Sequence, residues 1–135
     1  MAFRVIVDSS ALVALAAGEQ LAGRLLWVLE TQSDLSMSTT TYLETCLVLD
    51  RRADPVLARR MQSLISELPI RLEPFTAEPA QIARTAYRDF GKGSGHPARL
   101  DFGDCFSYAL AIDTDRPLLF VGNDFNHTDV RVAAY

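Results

Sequence analysis

Alternating strand-like and helix-like segments along 135 residues predict an α/β domain whose mainly parallel sheet is covered by helices on both faces. Two observations carry this reading. Short segments of strand length, their apolar residues continuous or alternating, occur at residues 3–7, 35–38, 70–75 and 118–121. Between them lie segments with helical periodicity, bounded by capping residues, glycine and proline. No repeat, low-complexity block or long linker interrupts the pattern, so residues 1–135 are expected to form one domain.

The elements follow in order. The run at 3–7 reads as a buried strand. Ser9 or Ser10 then offers a cap to a short apolar helix over 11–17, stopped at Gly18. Residues 19–32 place Leu21, Leu25, Leu26, Val28 and Leu29 on overlapping faces of a second helix. A strand at 35–38 leads into a helix from Thr39 to near Arg52. Asp54-Pro55 is a cap followed by proline at the first helical position, opening a helix to about Leu68. Residues 70–75 alternate as a strand, and Thr76 caps a helix through Phe90. A flexible, mildly basic loop spans 91–99. A helix over about 102–113, the strand 118–121 and an irregular tail complete the chain, with a last strand expected at 130–132.

Composition narrows the function classes. Hydrophobic content of 49% with 22% charged residues is that of a globular protein. No run is long enough to cross a bilayer, and the start of the chain lacks a basic-then-apolar signal layout, which favours the cytoplasm. Cys46 and Cys105 both fall in apolar helical contexts, and a structural disulfide is not expected. A net charge of −4 excludes a nucleic-acid binder held by a broadly basic surface. Twelve of the 13 basic residues are arginine, Lys92 being the exception, and arginine is the better phosphate fork. The pairs Arg51-Arg52 and Arg59-Arg60 read as solvated helix faces.

Four acids stand where a carboxylate is hard to explain by structure alone. Asp8 ends the first apolar run, Glu44 lies inside a helix, Asp104 opens an apolar segment, and Asp124 follows the run at 118–121. Ionised carboxylates are costly to bury unless paired or metal-bound. Asp8 and Asp124 lie just past strand ends, where open α/β sheets bind ligands. Convergent acids without a His or Cys ligand suit Mg²⁺ or Mn²⁺, and phosphodiester hydrolysis is the natural reaction class. Each acid also has a plain alternative: Asp8 as a helix cap, Asp104 as a partner of the helix dipole, Asp101 with Asp104 as a capping box, Asp124 as a turn residue. Glu44 has no arginine at helical spacing to pair with. Close carboxylates repel, so a metal-free site is expected to hold at least one acid with a raised pKa.

Val7-Asp8-Ser9-Ser10-Ala11-Leu12, the helical Glu44, Leu100-Asp101-Phe102-Gly103-Asp104-Cys105 and Leu119-Phe120-Val121-Gly122-Asn123-Asp124-Phe125 resemble, in order, the four signature regions of PIN-domain ribonucleases. The similarity is greatest to VapC toxins of bacterial toxin–antitoxin pairs, and it spans nearly the whole chain. It implies a three-layer α/β/α sandwich and a cytoplasmic, metal-dependent endoribonuclease. Asp8, Glu44, Asp104 and Asp124 would bind Mg²⁺ or Mn²⁺ and activate the attacking water, with Ser9 positioning a water or phosphate. It further implies a VapB-type antitoxin whose tail covers the site, and a homodimer, which exposed apolar residues such as Trp27 or Leu57 could serve. Two departures stand out. Asp101 replaces the Asn of many members, placing a fifth acid near the rim. Gly122 replaces a common Thr or Ser, leaving Asp124 and Asp129 as competing candidates.

Other features carry less. His96 and His127 are isolated and lack any zinc spacing. Gly91-Lys92-Gly93-Ser94 lacks the order of a phosphate loop and follows a helix, although Lys92 and Arg99 remain candidates for RNA backbone contact. Two further functions stay open. A phosphoacceptor signalling domain is also small and α/β, but needs paired acids after the first strand and a late lysine. A PIN-fold module without activity would only bind a partner.

Overall fold

The computed structural model describes residues 4–135. Phe3, expected to begin the first strand, lies outside the described residues. The elements are β1 (Arg4–Val7), α1 (Ser9–Ala16), α2 (Ala22–Thr31), β2 (Asp34–Ser38), α3 (Thr39–Arg51), α4 (Pro55–Glu67), β3 (Ile70–Glu73), α5 (Ala77–Phe90), α6 (Phe102–Thr114) and β4 (Leu118–Leu119), followed by a 3-10 turn at Asp124–His127. The strands pair in the order β3-β2-β1-β4, all parallel. The chain therefore builds outward from β1 to β3, then crosses back to place β4 on the other side of β1. That reversal is the topological switch point, at the carboxyl ends of β1 and β4, where open α/β sheets place their ligands.

Strand alternation sorts the core into two layers. Val5 and Val7 join Leu12, Leu25, Leu29, Leu35 and Leu49 on the face covered by α1 to α4. Ile6 joins Leu100, Ala109, Leu118 and Phe120 on the face covered by α5 and α6. The expected three-layer α/β/α sandwich is thus present. Short apolar strands buried on both faces need no polar alternation, which is why β1 reads as a continuous hydrophobic run.

Several boundaries differ from expectation. β4 has two residues rather than four, because Phe120 and Val121 leave the ladder as the chain turns away. β3 ends at Glu73, before Pro74, which has no N–H to give a ladder. The expected strand at 130–132 is a single bridge, Leu118 with Val132. The cap of α1 is Asp8, not Ser9 or Ser10. Asp54 caps α4 as expected, accepting from Val56 and Leu57 N–H, whereas Thr76 starts α5 without a side-chain cap bond. Leu57, expected to be exposed, is buried in the larger core cluster; Trp27 is exposed. Four arginines serve the fold: Arg4, Arg71 and Arg116 surround Asp34 at the start of β2, and Arg131 pairs with Asp115. Four of the 12 arginines are thus engaged in ion pairs that join separate segments of the chain.

Candidate active site

Asp8 continues the alternation of β1, so its side chain leaves the sheet on the same side as Ile6, toward α6. It is 3% exposed. One carboxylate oxygen accepts from the Ser107 hydroxyl of α6 at 2.5 Å. The other accepts from the Ser10 hydroxyl at 2.6 Å and from Ser10 N–H at 3.1 Å, the latter being the cap bond of α1. Ser10 Oγ in turn accepts from Val121 N–H at 3.0 Å, tying the end of β4 to the same carboxylate. Ser107 Oγ lies 3.3 Å from Thr41 Oγ1 of α3. The capping alternative and the site reading therefore both hold for Asp8: it starts α1 and is the hub joining α1, α3, α6 and β4.

Glu44 approaches from α3. The buried line of that helix is Thr41, Thr45 and Leu49, and Leu47 is exposed, so Glu44 lies on its flank. Its carboxylate accepts from the Ser9 hydroxyl at 3.2 Å and lies directly on the first turn of α6. A Cβ added to Gly103 would come within 1.5 Å of Glu44 Oε2. The helix end there carries free N–H groups and partial positive charge, which favours an anion.

Asp101 and Asp104 form the expected capping box: Asp104 N–H donates to Asp101 Oδ1 at 2.8 Å, and Asp101 N–H donates to Asp104 Oδ2 at 3.0 Å. Asp101 is exposed and Asp104 half-buried. The 91–99 loop is closed at its base by a bridge between Gly91 and the buried Leu100, so it delivers the chain straight to Asp101. Lys92 and Arg99 are exposed on it. His96 is structural, its ring edge-on to Phe90 at 4.9 Å and its Nδ1 accepting from Ala98 N–H.

The two tail acids separate. Asp124 is exposed at the start of the 3-10 turn, and its charge acts on Asp104. The preceding Gly122 has φ of +106°, a backbone that residues with side chains rarely adopt, which accounts for glycine at this corner. Asp129 accepts from the Tyr108 hydroxyl at 2.5 Å, in a groove between α5 and α6 that also holds Asp89 and Asp113.

Burial is the first cause of an upward pKa in all three inner acids. Asp8 is raised by burial, with hydrogen bonds from Ser10, Ser107 and Ser9 pulling the other way. Glu44 is raised by burial, then by the charges of Asp8 and Asp101. Asp104 is pushed up to about 8 by burial and then by Asp101, Asp8 and Asp124. A raised carboxyl was expected; mutual repulsion, the cause expected, ranks behind desolvation at Glu44 and Asp104, while Asp8 is raised by desolvation. None of the three has an ion-pair partner among the described residues. Cys46 and Cys105 are free thiols, and burial pushes Cys105 up to about 12, so it remains a protonated packing residue.

Oxygen donors without His or Cys suit a hard divalent cation. Among the described residues no group of three His, Cys, Asp or Glu side chains is already arranged as a ligand set. Instead hydroxyls and the capping N–H hold the carboxylate oxygens. The donor chemistry fits an ion, and occupying it requires exchange of those hydrogen bonds. Sequence reading took Ser10 for a helix cap and missed the roles of Thr41, Ser107 and Gly103. Only Gly103 left a signal, since glycine inside a helix costs about 1 kcal/mol against alanine and needs a reason.

Comparison with known proteins identifies the family. The PIN domain family matches residues 5–131. Ribonuclease VapC28 of Mycobacterium tuberculosis is 49% identical over 129 residues, covering 96% of this chain and 97% of the relative. Two solved structures share the fold. Mycobacterium tuberculosis VapC20, a toxin that cleaves the sarcin–ricin loop, has a TM-score of 0.74 at 21% identity, covering 96% of this chain and 98% of that one. A toxin–antitoxin complex from Klebsiella pneumoniae has a TM-score of 0.71 at 16% identity, covering 97% and 98%. The chain belongs to the PIN-domain family, among the VapC ribonucleases.

Proposed function

We propose that this chain is the toxin of a toxin–antitoxin pair, an endoribonuclease that hydrolyses RNA phosphodiester bonds with Mg²⁺ or Mn²⁺. The observation that carries the reading is the approach of Glu44 and Asp104, from two separate helices, to Asp8 at the end of β1, whose charge acts on both, with no ion-pair partner among the described residues. Asp8, Glu44 and Asp104 would hold the ion, with Asp124 as the outer fourth. A bound divalent ion supplies a nucleophilic water at neutral pH and charge for the scissile phosphate. The protein supplies position. Ser107 and Ser10 fix the Asp8 rotamer, Ser9 steadies Glu44, and the capping box aims Asp104. Ser9 thus acts through Glu44 rather than on a phosphate. Asp101 contributes charge at the rim, Lys92 and Arg99 touch the RNA backbone, and Asp129 serves Tyr108.

A VapB-type antitoxin is the proposed inhibitor. Uncompensated carboxylates invite a basic side chain, and one structural neighbour is itself a toxin–antitoxin complex. No described helix is long and apolar enough to cross a membrane; a cytoplasmic site of action and a homodimer complete the proposal. The phosphoacceptor reading loses its footing, since Asp8 is followed by two serines rather than a second acid and the sole lysine, Lys92, lies on the 91–99 loop.

The test is cleavage of cellular RNA by purified protein with Mg²⁺, Mn²⁺ or EDTA. Asp8→Asn and Asp104→Asn should each cost at least about 100-fold in rate, the scale of a lost catalytic group. Full metal-dependent activity in either variant defeats the assignment. Calorimetric titration with Mn²⁺ separates an enzyme from an inactive binding module, which would show no site that needs Asp8.

A further inference from the structure

Beside the carboxylates an aromatic shelf faces solvent. Phe102, between Asp101 and Gly103, is the first residue of α6 and 73% exposed. Its ring meets Phe106 edge-on at 4.8 Å, and Phe106 meets Phe75 at 5.0 Å. A groove of about 370 Å³ runs along these rings, with Arg84 and Tyr87 of α5 as its other wall. Tyr87 is exposed, and Arg84 makes no ion pair with any described residue. A single exposed phenylalanine needs no explanation. A continuous aromatic patch with a cation outside any ion pair, beginning at the capped end of α6, marks a binding surface.

We propose that this groove is a base-stacking subsite for single-stranded RNA, with an unstacked nucleobase on Phe102 against the Tyr87 wall and Arg84 on the adjoining phosphate. The proposal rests on the ribonuclease reading above. Three features favour a nucleobase. A net charge of −4 gives RNA little non-specific electrostatic attraction. Stacking on an aromatic ring is sequence-tolerant and independent of salt bridges, and a neighbouring arginine supplies the phosphate contact that a purely apolar occupant would not use. Phe102 shares the first turn of α6 with the capping acids Asp101 and Asp104 but faces α5, so a base stacked there belongs to a nucleotide within a few positions of the scissile phosphate. A duplex keeps its bases stacked on one another, so the subsite restricts cutting to unpaired segments.

The experiment places 2-aminopurine at successive positions of a short unpaired RNA. Fluorescence quenching is read in EDTA, and KM and kcat are read with Mg²⁺ or Mn²⁺. One position beside the cut should be quenched. Phe102→Ala should abolish that quenching and raise KM about tenfold, the scale of one lost stacking contact. Phe102→Trp should restore both. Arg84→Ala should raise KM while the same position stays quenched. The subsite is overturned if wild-type protein cuts the RNA without position-specific quenching, or if Phe102→Ala keeps the wild-type KM. It is equally overturned if Phe102→Ala halves the sedimenting mass, which makes the shelf a contact between two copies of the chain. Wild-type protein that neither cuts nor quenches any RNA removes the ribonuclease reading itself.

Discussion

Asp104 titrates in the physiological range because burial and three neighbouring carboxylates act on it together. Its carboxyl is pushed up to about 8, whereas an unfolded aspartate ionises near about 3.9. A raised folded value means the native state binds the proton more tightly. The stability this group contributes is full below the unfolded value and is lost as pH rises through about 8. Asp8 and Glu44 are shifted in the same direction. In EDTA the melting temperature should therefore fall from about pH 5 to about pH 8, and Asp104→Asn should flatten part of that fall. Mn²⁺ requires the ionised form, so its binding should release protons and tighten with rising pH. Scanning fluorimetry across this interval, with EDTA and with Mn²⁺, checks both. A melting temperature that rises in EDTA and ignores Asp104→Asn contradicts the account.

At the scale of elements, the contact between α3 and α6 decides where Glu44 goes. Gly103 leaves room for the carboxylate on the first turn of α6, and an added Cβ would fall 1.5 Å from Glu44 Oε2. The obstructed atom is the end of a flexible side chain, so Gly103→Ala should not unfold the protein. Alanine gains about 1 kcal/mol of helix propensity, which offsets local crowding. The variant should keep its melting temperature within a few degrees and lose about tenfold or more in Mn²⁺ affinity, as one ligand is turned away. Calorimetric titration beside thermal melting tests this; loss of stability with intact metal affinity would reverse the assignment. Glu44 was recognisable in the sequence as a misplaced charge. The glycine that accommodates it belongs to a helix 59 positions later, and no local pattern links the two.

Across the whole molecule, the two core layers share one four-stranded sheet. Ile6 feeds one layer while Val5 and Val7 feed the other, and Asp8 joins α1, α6 and β4 at the top. We propose that residues 4–135 unfold as one cooperative unit. Calorimetric and van't Hoff enthalpies should agree, as for small two-state domains; two resolved transitions would separate the layers. The uncompensated acids around Asp8 also explain why the proposed cofactor is a cation and the proposed antitoxin is expected to bring a basic side chain.

Order along the chain determined the class of fold, the helices and the four signature acids, because apolar period and capping chemistry act over a few residues. Asp8, Glu44 and Asp104 were legible for that reason. Tertiary structure alone decided which hydroxyls hold them, since Ser107 reaches Asp8 across 99 residues and Ser9 reaches Glu44 across 35. It also distinguished Asp124, whose charge reaches Asp104, from Asp129, which is held by Tyr108. It shortened β4 and buried Leu57. Strand pairing and helix packing depend on residues far apart in the chain, and only the closed fold sets those distances.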